Sequence, residues 1–234
     1  RLPDEPLIFV EVAFTTAIAD SITPLLDEAA APADPARSST AIFYSISNTQ
    51  PGLKGVSFGD SLIKRVVETL RTEFPRLKVF ATLSPMPGFR NWLSRHADRL
   101  LQLTPLKARD ELARSLGAQP LTAQAVLAAL DSVPALEPKS PLRHWLLQCG
   151  AQYLGREMAN GKPLDAVARF HLGNGARVER LNWAADPSAK GIRQSCGLMV
   201  NYLYDLKRID KHRSQLAEGK IAASREVEKL AAGG

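Results

Sequence analysis

The stretch TAIFYSISNTQPGLKGVSFGDSLIKRVVETLRTEF, Thr40–Phe74, decides the fold class. Its first seven residues, Thr40–Ile46, are rich in β-branched and aromatic side chains and read as a buried strand. A turn-rich loop follows, Asn48-Thr49-Gln50-Pro51-Gly52-Leu53-Lys54-Gly55. Leu62, Ile63, Val66, Val67 and Leu70 then recur at three- and four-residue spacing, and Phe74 closes the stripe, which is the pattern of an amphipathic helix. Asp60 or Ser61 can cap its start. Strand, glycine-bearing loop and helix make one α/β unit.

Outward from it the alternation continues. Upstream, Leu7–Phe14 reads as a strand, Ile18–Ala29 has helical spacing, and Ala31–Ser39 is a Pro/Ala/Ser linker. Downstream, Val79–Leu83 is a short strand ending at Ser84, and Asn91–Leu103 is helical. Thr104–Lys162 reads as wholly helical, in the pieces Leu106–Leu116, Leu121–Leu130 and Leu142–Arg156, and interrupts the alternation. Strands return at Val167–Leu172 and Arg177–Leu181, then a helix near Ala189–Cys196, an aromatic segment Met199–Tyr204 and a polar helical tail from Asp205. The expectation is one α/β domain over residues 1–234, a mixed central sheet flanked by helices. It carries a helical insertion at about 104–162 and a C-terminal helical tail at about 205–234.

Of the 234 residues, 45% are hydrophobic, enough for one large core. The 30 basic and 24 acidic residues leave a net charge of +6, spread along the chain without a run of one sign. That argues against a nucleic-acid groove and suits a phosphate-bearing small ligand. Cys149 and Cys196 make neither a disulfide framework nor a metal site. No apolar run approaches membrane-spanning length. The expectation is a soluble protein of a reducing compartment, and the opening at Arg1 without methionine reads as a fragment or a processed product.

Four places can carry chemistry. The loop with Gly52, Gly55 and Gly59 can turn backbone N–H groups toward a phosphate at a helix start, with Lys54 adding a charge. Taken alone, a plain glycine-rich connector is the more common case. Ser84 opens Ser84-Pro85-Met86-Pro87-Gly88-Phe89, a stiff turn at a strand end, where sites in α/β folds tend to lie. A serine that merely caps the turn is the alternative. His171, in Phe170-His171-Leu172-Gly173-Asn174-Gly175-Ala176, reads as a strand-end histidine beside turn chemistry, either a satisfied core residue or a catalyst. His96 and His212 read as solvated and His144 as structural, and no acid cluster or second histidine makes a metal site. Asn182 and Tyr204, in aromatic segments beside polar groups, are candidate pocket residues or ordinary core edges. Cys196 reads as a buried, inert thiol.

These segments together resemble malonyl-CoA decarboxylase. The resemblance rests on Phe43–Gln50 with Gly52–Val56, Leu62–Val67, Thr82–Phe89, Phe170–Leu172 with Asn174–Ala176, Asn182-Trp183, Ala185-Asp186, Gly191-Ile192 and Ser195–Met199 with Asn201-Tyr202. It covers Pro6 to about Tyr204. It implies a fold related to the acyl-CoA-binding GNAT acetyltransferases and conversion of malonyl-CoA to acetyl-CoA and carbon dioxide with no metal or organic cofactor. It puts the catalytic serine on Ser84, the catalytic histidine on His171 and the CoA contacts on Lys54, Gly55, Val56, Ser57, Phe58, Gly59 and Asp60. Some relatives carry an acid at the position of Ser57. The family's N-terminal helical domain is absent from this chain, which would be the catalytic domain.

The resemblance further implies a homo-oligomer, dimer or tetramer, with malonyl-CoA as partner and neither nucleic acid nor membrane. The ending Ala231-Ala232-Gly233-Gly234 lacks the Ser-Lys-Leu address of animal relatives, which points to a bacterial, cytoplasmic protein. A GNAT-type acyltransferase and a non-catalytic malonyl-CoA-binding module are the alternatives.

Overall fold

The computed structural model describes residues 8–31, 34–48, 62–131 and 137–233. In chain order the elements are β1 (Ile8–Thr15), a single 3-10 turn (Thr23–Leu25), β2 (Thr40–Asn48), α1 (Leu62–Glu73), β3 (Val79–Thr82), β4 (Ser84–Pro85) and α2 (Phe89–Leu103). Then come α3 (Leu106–Leu116), α4 (Ala123–Ala129), α5 (Pro141–Arg156), β5 (Met158–Ala159), β6 (Lys162–Pro163) and α6 (Ala166–Gly173). The chain finishes with β7 (Arg177–Asn182), α7 (Ala189–Ser195), β8 (Met199–Leu203), α8 (Ile209–Ala217) and α9 (Arg225–Ala232).

The mixed α/β expectation holds. Strands β1, β2, β3, β8 and β4 follow one another in a mixed sheet, and β7 pairs with β8. β2 and β3 are parallel, while β1 runs antiparallel to β2 and β8 runs antiparallel to β3, β4 and β7. The two short strands β3 and β4 share one side of β8 and are separated by Leu83 alone, whose N–H donates to Phe43 O at 3.0 Å and so continues the parallel β2–β3 ladder.

Alternation along the strands sends side chains to two cores. Ala41, Phe43, Phe80, Val200 and Tyr202 join the larger core with α1, α2, α5 and α9, whereas Ile42, Ala81 and Met199 point to a smaller one. In α2 the buried positions Phe89, Trp92, Leu93, Ala97, Leu100 and Leu101 trace the stripe that a helix lays on a sheet. α5 packs on β7 and α9, and its Gly150 leaves so little room that a Cβ there would meet Leu198 Cδ1 at 3.3 Å.

Three local expectations are corrected. Ile18–Ala29 is not a helix: it forms only the one 3-10 turn, because Pro24 supplies no N–H to a helical ladder. Its apolar spacing serves instead to lay Ile18, Ala19, Ile22 and Leu25 over the smaller core. Thr104–Lys162 is not wholly helical: Asn160 and Gly161, both at positive φ (53° and 72°), make the two-residue turn of the β5–β6 hairpin. Val167–Leu172 is not a strand. It lies within α6, whose start Asp165 caps by accepting from the N–H groups of Val167 and Ala168, each at 2.9 Å. A short apolar run of this kind fits either period, and the cap decides it.

Leu146, fully buried on α5, tests this packing. Leu146→Ala is expected to cost ~2–5 kcal/mol of stability through lost burial and a residual cavity. The cost is read from a lowered urea midpoint at unchanged slope. A midpoint equal to that of the unaltered chain contradicts the placement.

Candidate active site

Thr82 and Ser84, two residues apart along extended chain, lie on the same face of the sheet, Thr82 closing β3 and Ser84 opening β4 opposite Val200. Both hydroxyls are buried, and the Ser84 hydroxyl donates to Thr82 Oγ1 at 2.9 Å. Thr82 Oγ1 also accepts from the Tyr202 N–H at 3.1 Å, so this side chain occupies a ladder position that a regular strand would fill with a carbonyl. After Ser84 the chain turns through Pro85, buried Met86, Pro87 and Gly88 into α2.

His171 sits in the last turn of α6, 87 residues away in sequence, yet its Nε2 lies 3.2 Å from Ser84 Oγ. Its other ring nitrogen, Nδ1, is 2.7 Å from Tyr204 Oη. The ring stacks on Tyr202 with centroids 4.6 Å apart and planes 25° apart, while Phe170 and Tyr204 meet it edge-on. Tyr204 is held just past β8 by its N–H, which donates to Phe80 O at 2.9 Å. The result is a hydrogen-bonded chain, Thr82–Ser84–His171–Tyr204, that runs from β3 and β4 through α6 to the residue just past β8.

Burial lowers the His171 pKa from 6.5 to about 3, so the ring is neutral at pH 7 and carries one N–H and one lone pair. Because the single Ser84 hydroxyl hydrogen is given to Thr82, the Ser84 oxygen accepts from Nε2–H, and Nδ1 accepts from the Tyr204 hydroxyl. Burial also pushes the Tyr204 hydroxyl well above its ordinary range, so it stays protonated.

The second face of the sheet carries a separate polar network. Arg180 Nε donates to Asn182 Oδ1 at 2.7 Å and Asn201 Oδ1 at 3.2 Å, and Asn182 Nδ2 donates to Asn201 Oδ1 at 2.8 Å. Asn201 Nδ2 donates in turn to Thr82 O at 2.7 Å and Ala19 O at 2.9 Å. This ties the Ile18–Ala19 segment and β7 to the backbone that carries Thr82.

Of the residues singled out in the sequence, Ser84, His171 and Tyr204 therefore come together, while Asn182 belongs to the opposite face. Lys54, Gly55, Val56, Ser57, Phe58, Gly59 and Asp60 lie outside the described residues. His212 is not solvated: it is buried, with Nδ1 3.0 Å from Gly175 O. His96 is half-buried against Trp92, and His144 is exposed on α5. Cys149 and Cys196 are buried, and burial raises the Cys196 thiol to about 11, which leaves it un-ionised at neutral pH. Among the described residues no group of three or more His, Cys, Asp or Glu is placed to hold a metal ion.

The sequence reading held Thr82 and Tyr202 only as members of longer segments, and Asp165 not at all. Only Asp165 had a local signal, an acid immediately before an Ala-Val-Ala helix start.

The model of the malonyl-CoA decarboxylase C-terminal domain matches residues 1–233. The chain belongs to that family. It is 39% identical over 244 residues to the mitochondrial malonyl-CoA decarboxylase of Mus musculus, an alignment covering 98% of this chain and 49% of that protein. It is 38% identical over 239 residues to the mitochondrial enzyme of Anser anser anser, covering 97% of this chain and 47% of that one.

Crystal structures of malonyl-CoA decarboxylases match as well. The one from Cupriavidus metallidurans superposes with a TM-score of 0.84 at 46% identity, covering 97% of this chain and 56% of that chain. The one from Rhodopseudomonas palustris does so with a TM-score of 0.84 at 47% identity, covering 98% and 50%. The chain thus spans about half the length of the family relatives it matches.

The neutral state of His171 has a consequence for stability. Between pH 6.5 and about 3 the unfolded chain binds a proton at this imidazole and the folded chain does not. Stability therefore rises with pH through that window and is lost as pH falls through it. His171→Gln removes this linkage. The melting temperature of the variant is expected to fall less between about pH 7 and about pH 4.5 than that of the unaltered chain. An equal fall in both contradicts the buried neutral ring.

Proposed function

We propose that this domain decarboxylates malonyl-CoA, releasing carbon dioxide and forming acetyl-CoA. The observation that carries the reading is the buried contact of Ser84 Oγ with His171 Nε2 at 3.2 Å, in a chain of this family.

In the reaction the bond between the malonyl methylene and the carboxylate breaks, and its electron pair passes into the thioester as an enolate. A proton added to the carbon completes acetyl-CoA. Ser84 hydrogen-bonds the malonyl carboxylate and holds it out of the thioester plane, and His171 supplies the proton. A hydrogen bond to a charged group is worth about 1.5–3 kcal/mol. Realised only in the transition state, that is roughly ten- to a hundredfold in rate.

A neutral imidazole is a weak acid, so the ring must take up a proton from solvent as the substrate binds. The malonyl carboxylate brings a negative charge beside the ring and favours the imidazolium. Tyr204, protonated and on Nδ1, orients the ring so that Nε2 faces the substrate. Loss of carbon dioxide moves the negative charge onto the enolate, and the imidazolium proton neutralises it at carbon.

The thioester is itself the electron sink, so the reading needs neither a metal nor an organic cofactor. It assigns the CoA contacts to Lys54–Asp60, the stretch that precedes α1 in sequence. It places the protein as a homo-oligomer in a bacterial cytoplasm. Among the described residues no helix is long and apolar enough to cross a membrane.

Carboxyl-labelled malonyl-CoA tests the reaction. The expected result is release of the label with or without an amine acceptor. Acyl transfer to the amine with the label retained makes the domain an acyltransferase, and bound but unchanged malonyl-CoA makes it a binding module. His171→Ala is expected to lower turnover at least about a hundredfold, the scale of general acid catalysis. Ser84→Ala is expected to lower kcat more than it weakens CoA binding. Near-normal turnover by His171→Ala, or a loss confined to binding in Ser84→Ala, contradicts these roles.

A further inference from the structure

The chain from Tyr204 to His212 leaves β8, enters α8, and grips His171 from two sides. At the ring, the Tyr204 hydroxyl donates to Nδ1 at 2.7 Å. At the backbone, the grip acts on the turn that ends α6. There the Ala176 N–H donates to His171 O at 3.1 Å and the Gly175 N–H donates to Leu172 O at 3.0 Å. With Gly175 at φ 82°, these two bonds form a glycine-closed helix end, and the His171 carbonyl is part of it.

The Gly175 carbonyl leaves this turn toward α8, where buried His212 meets it with Nδ1 at 3.0 Å. A carbonyl only accepts, so Nδ1 carries the hydrogen. Gly175 is also pressed against the start of α8. A Cβ there would lie 2.8 Å from Ile209 O and 3.0 Å from Ile209 Cα, which are backbone atoms. The helix end itself is complete without α8, since its own two bonds close it. What His212 adds is a fixed place for that end relative to the segment bearing Tyr204. The same turn runs straight into β7, whose Val178 pairs with Tyr202, the residue stacked on the His171 ring.

We propose that His212 is a positioning residue for the reaction: by holding the Gly175 carbonyl it fixes the end of α6 against the Tyr204 segment and so sets the spacing of the His171 ring to Tyr204 and Ser84. The proposal rests on the reading of Ser84 and His171 as the reacting pair. It depends on one donor at one position. An asparagine amide stands as far from the backbone as histidine Nδ1 and supplies that donor. A glutamine amide stands where Nε2 does, one bond too far, and leucine supplies no donor at all.

The test measures kcat and KM for malonyl-CoA, with nitrogen spectra of 15N-histidine-labelled chain, in His212→Leu, His212→Gln and His212→Asn. Tyr204→Phe, which removes the bond to Nδ1, gives the reference shift, and the His171 signals are those lost in His171→Gln. His212→Leu is expected to keep KM and to lower kcat by about ten- to a hundredfold, the upper figure being the loss that an ångström of misplacement brings. Its His171 Nδ1 resonance is expected to move in the direction seen in Tyr204→Phe. His212→Asn is expected to restore most of kcat and to return the resonance.

A His171 resonance unmoved in folded His212→Leu overturns the proposal, whatever the melting temperature does. A resonance that moves while kcat holds supports the positioning and sinks the catalytic reading of the pair instead. Should His212→Leu fail to fold, His212→Gln takes its place with the same expected loss and shift. A His212→Asn variant no closer to the unaltered chain than these, in kcat and in the resonance, overturns the proposal as well.

Discussion

The site depends on one irregularity in the sheet, the single residue by which β3 and β4 fail to be one strand. At Thr82 the carbonyl accepts from the Asn201 side chain while the hydroxyl takes the Tyr202 N–H, and pairing with β8 resumes at Ser84 in the same register. The Ser84 hydroxyl there bonds both Thr82 and His171. A regular strand would bury the same side chains but would commit its backbone to the ladder throughout. The polar network of Arg180, Asn182 and Asn201 braces this irregular point from the opposite face through the Thr82 carbonyl.

The second constraint is electrostatic. His171 is enclosed by Tyr202, Phe170 and Tyr204, none of which carries a charge that would hold an imidazolium. The resting ring is therefore neutral, and the acid that the proposed chemistry needs forms only beside an anionic substrate. This couples binding to activation: a thioester without a free carboxylate lacks the charge that arms the histidine. The same enclosure strengthens each hydrogen bond in the Thr82–Ser84–His171–Tyr204 chain and makes a broken one costly.

Much of the fold was legible in the sequence because it is written in local periods. The β2 strand, the α1 stripe from Leu62 to Leu70, α2, α5 and the closing segment β8 all follow apolar spacing. The misreadings fall where local spacing is ambiguous. Val167–Leu172 suits strand or helix until Asp165 is recognised as a cap. Asn160-Gly161 announces a hairpin that a helical reading of the neighbourhood overrode. Ser84 and His171 were visible as candidates, but their contact was not, since nothing local encodes a distance across 87 residues. The contacts of Thr82 and Tyr202 were hidden for the same reason. Their roles come from partners on other elements, and the family resemblance speaks for Ser84 and His171 without giving the buried supports.

The most direct test of the account is chemical rescue. His171→Ala removes the ring and leaves a space bounded by Ser84, Tyr202 and Tyr204, which free imidazole can enter. The account predicts that added imidazole restores label release from carboxyl-labelled malonyl-CoA in His171→Ala and does nothing for Ser84→Ala, whose histidine is still present. The account is contradicted if His171→Ala turns over as fast as the unaltered chain, or if imidazole leaves the folded variant inactive.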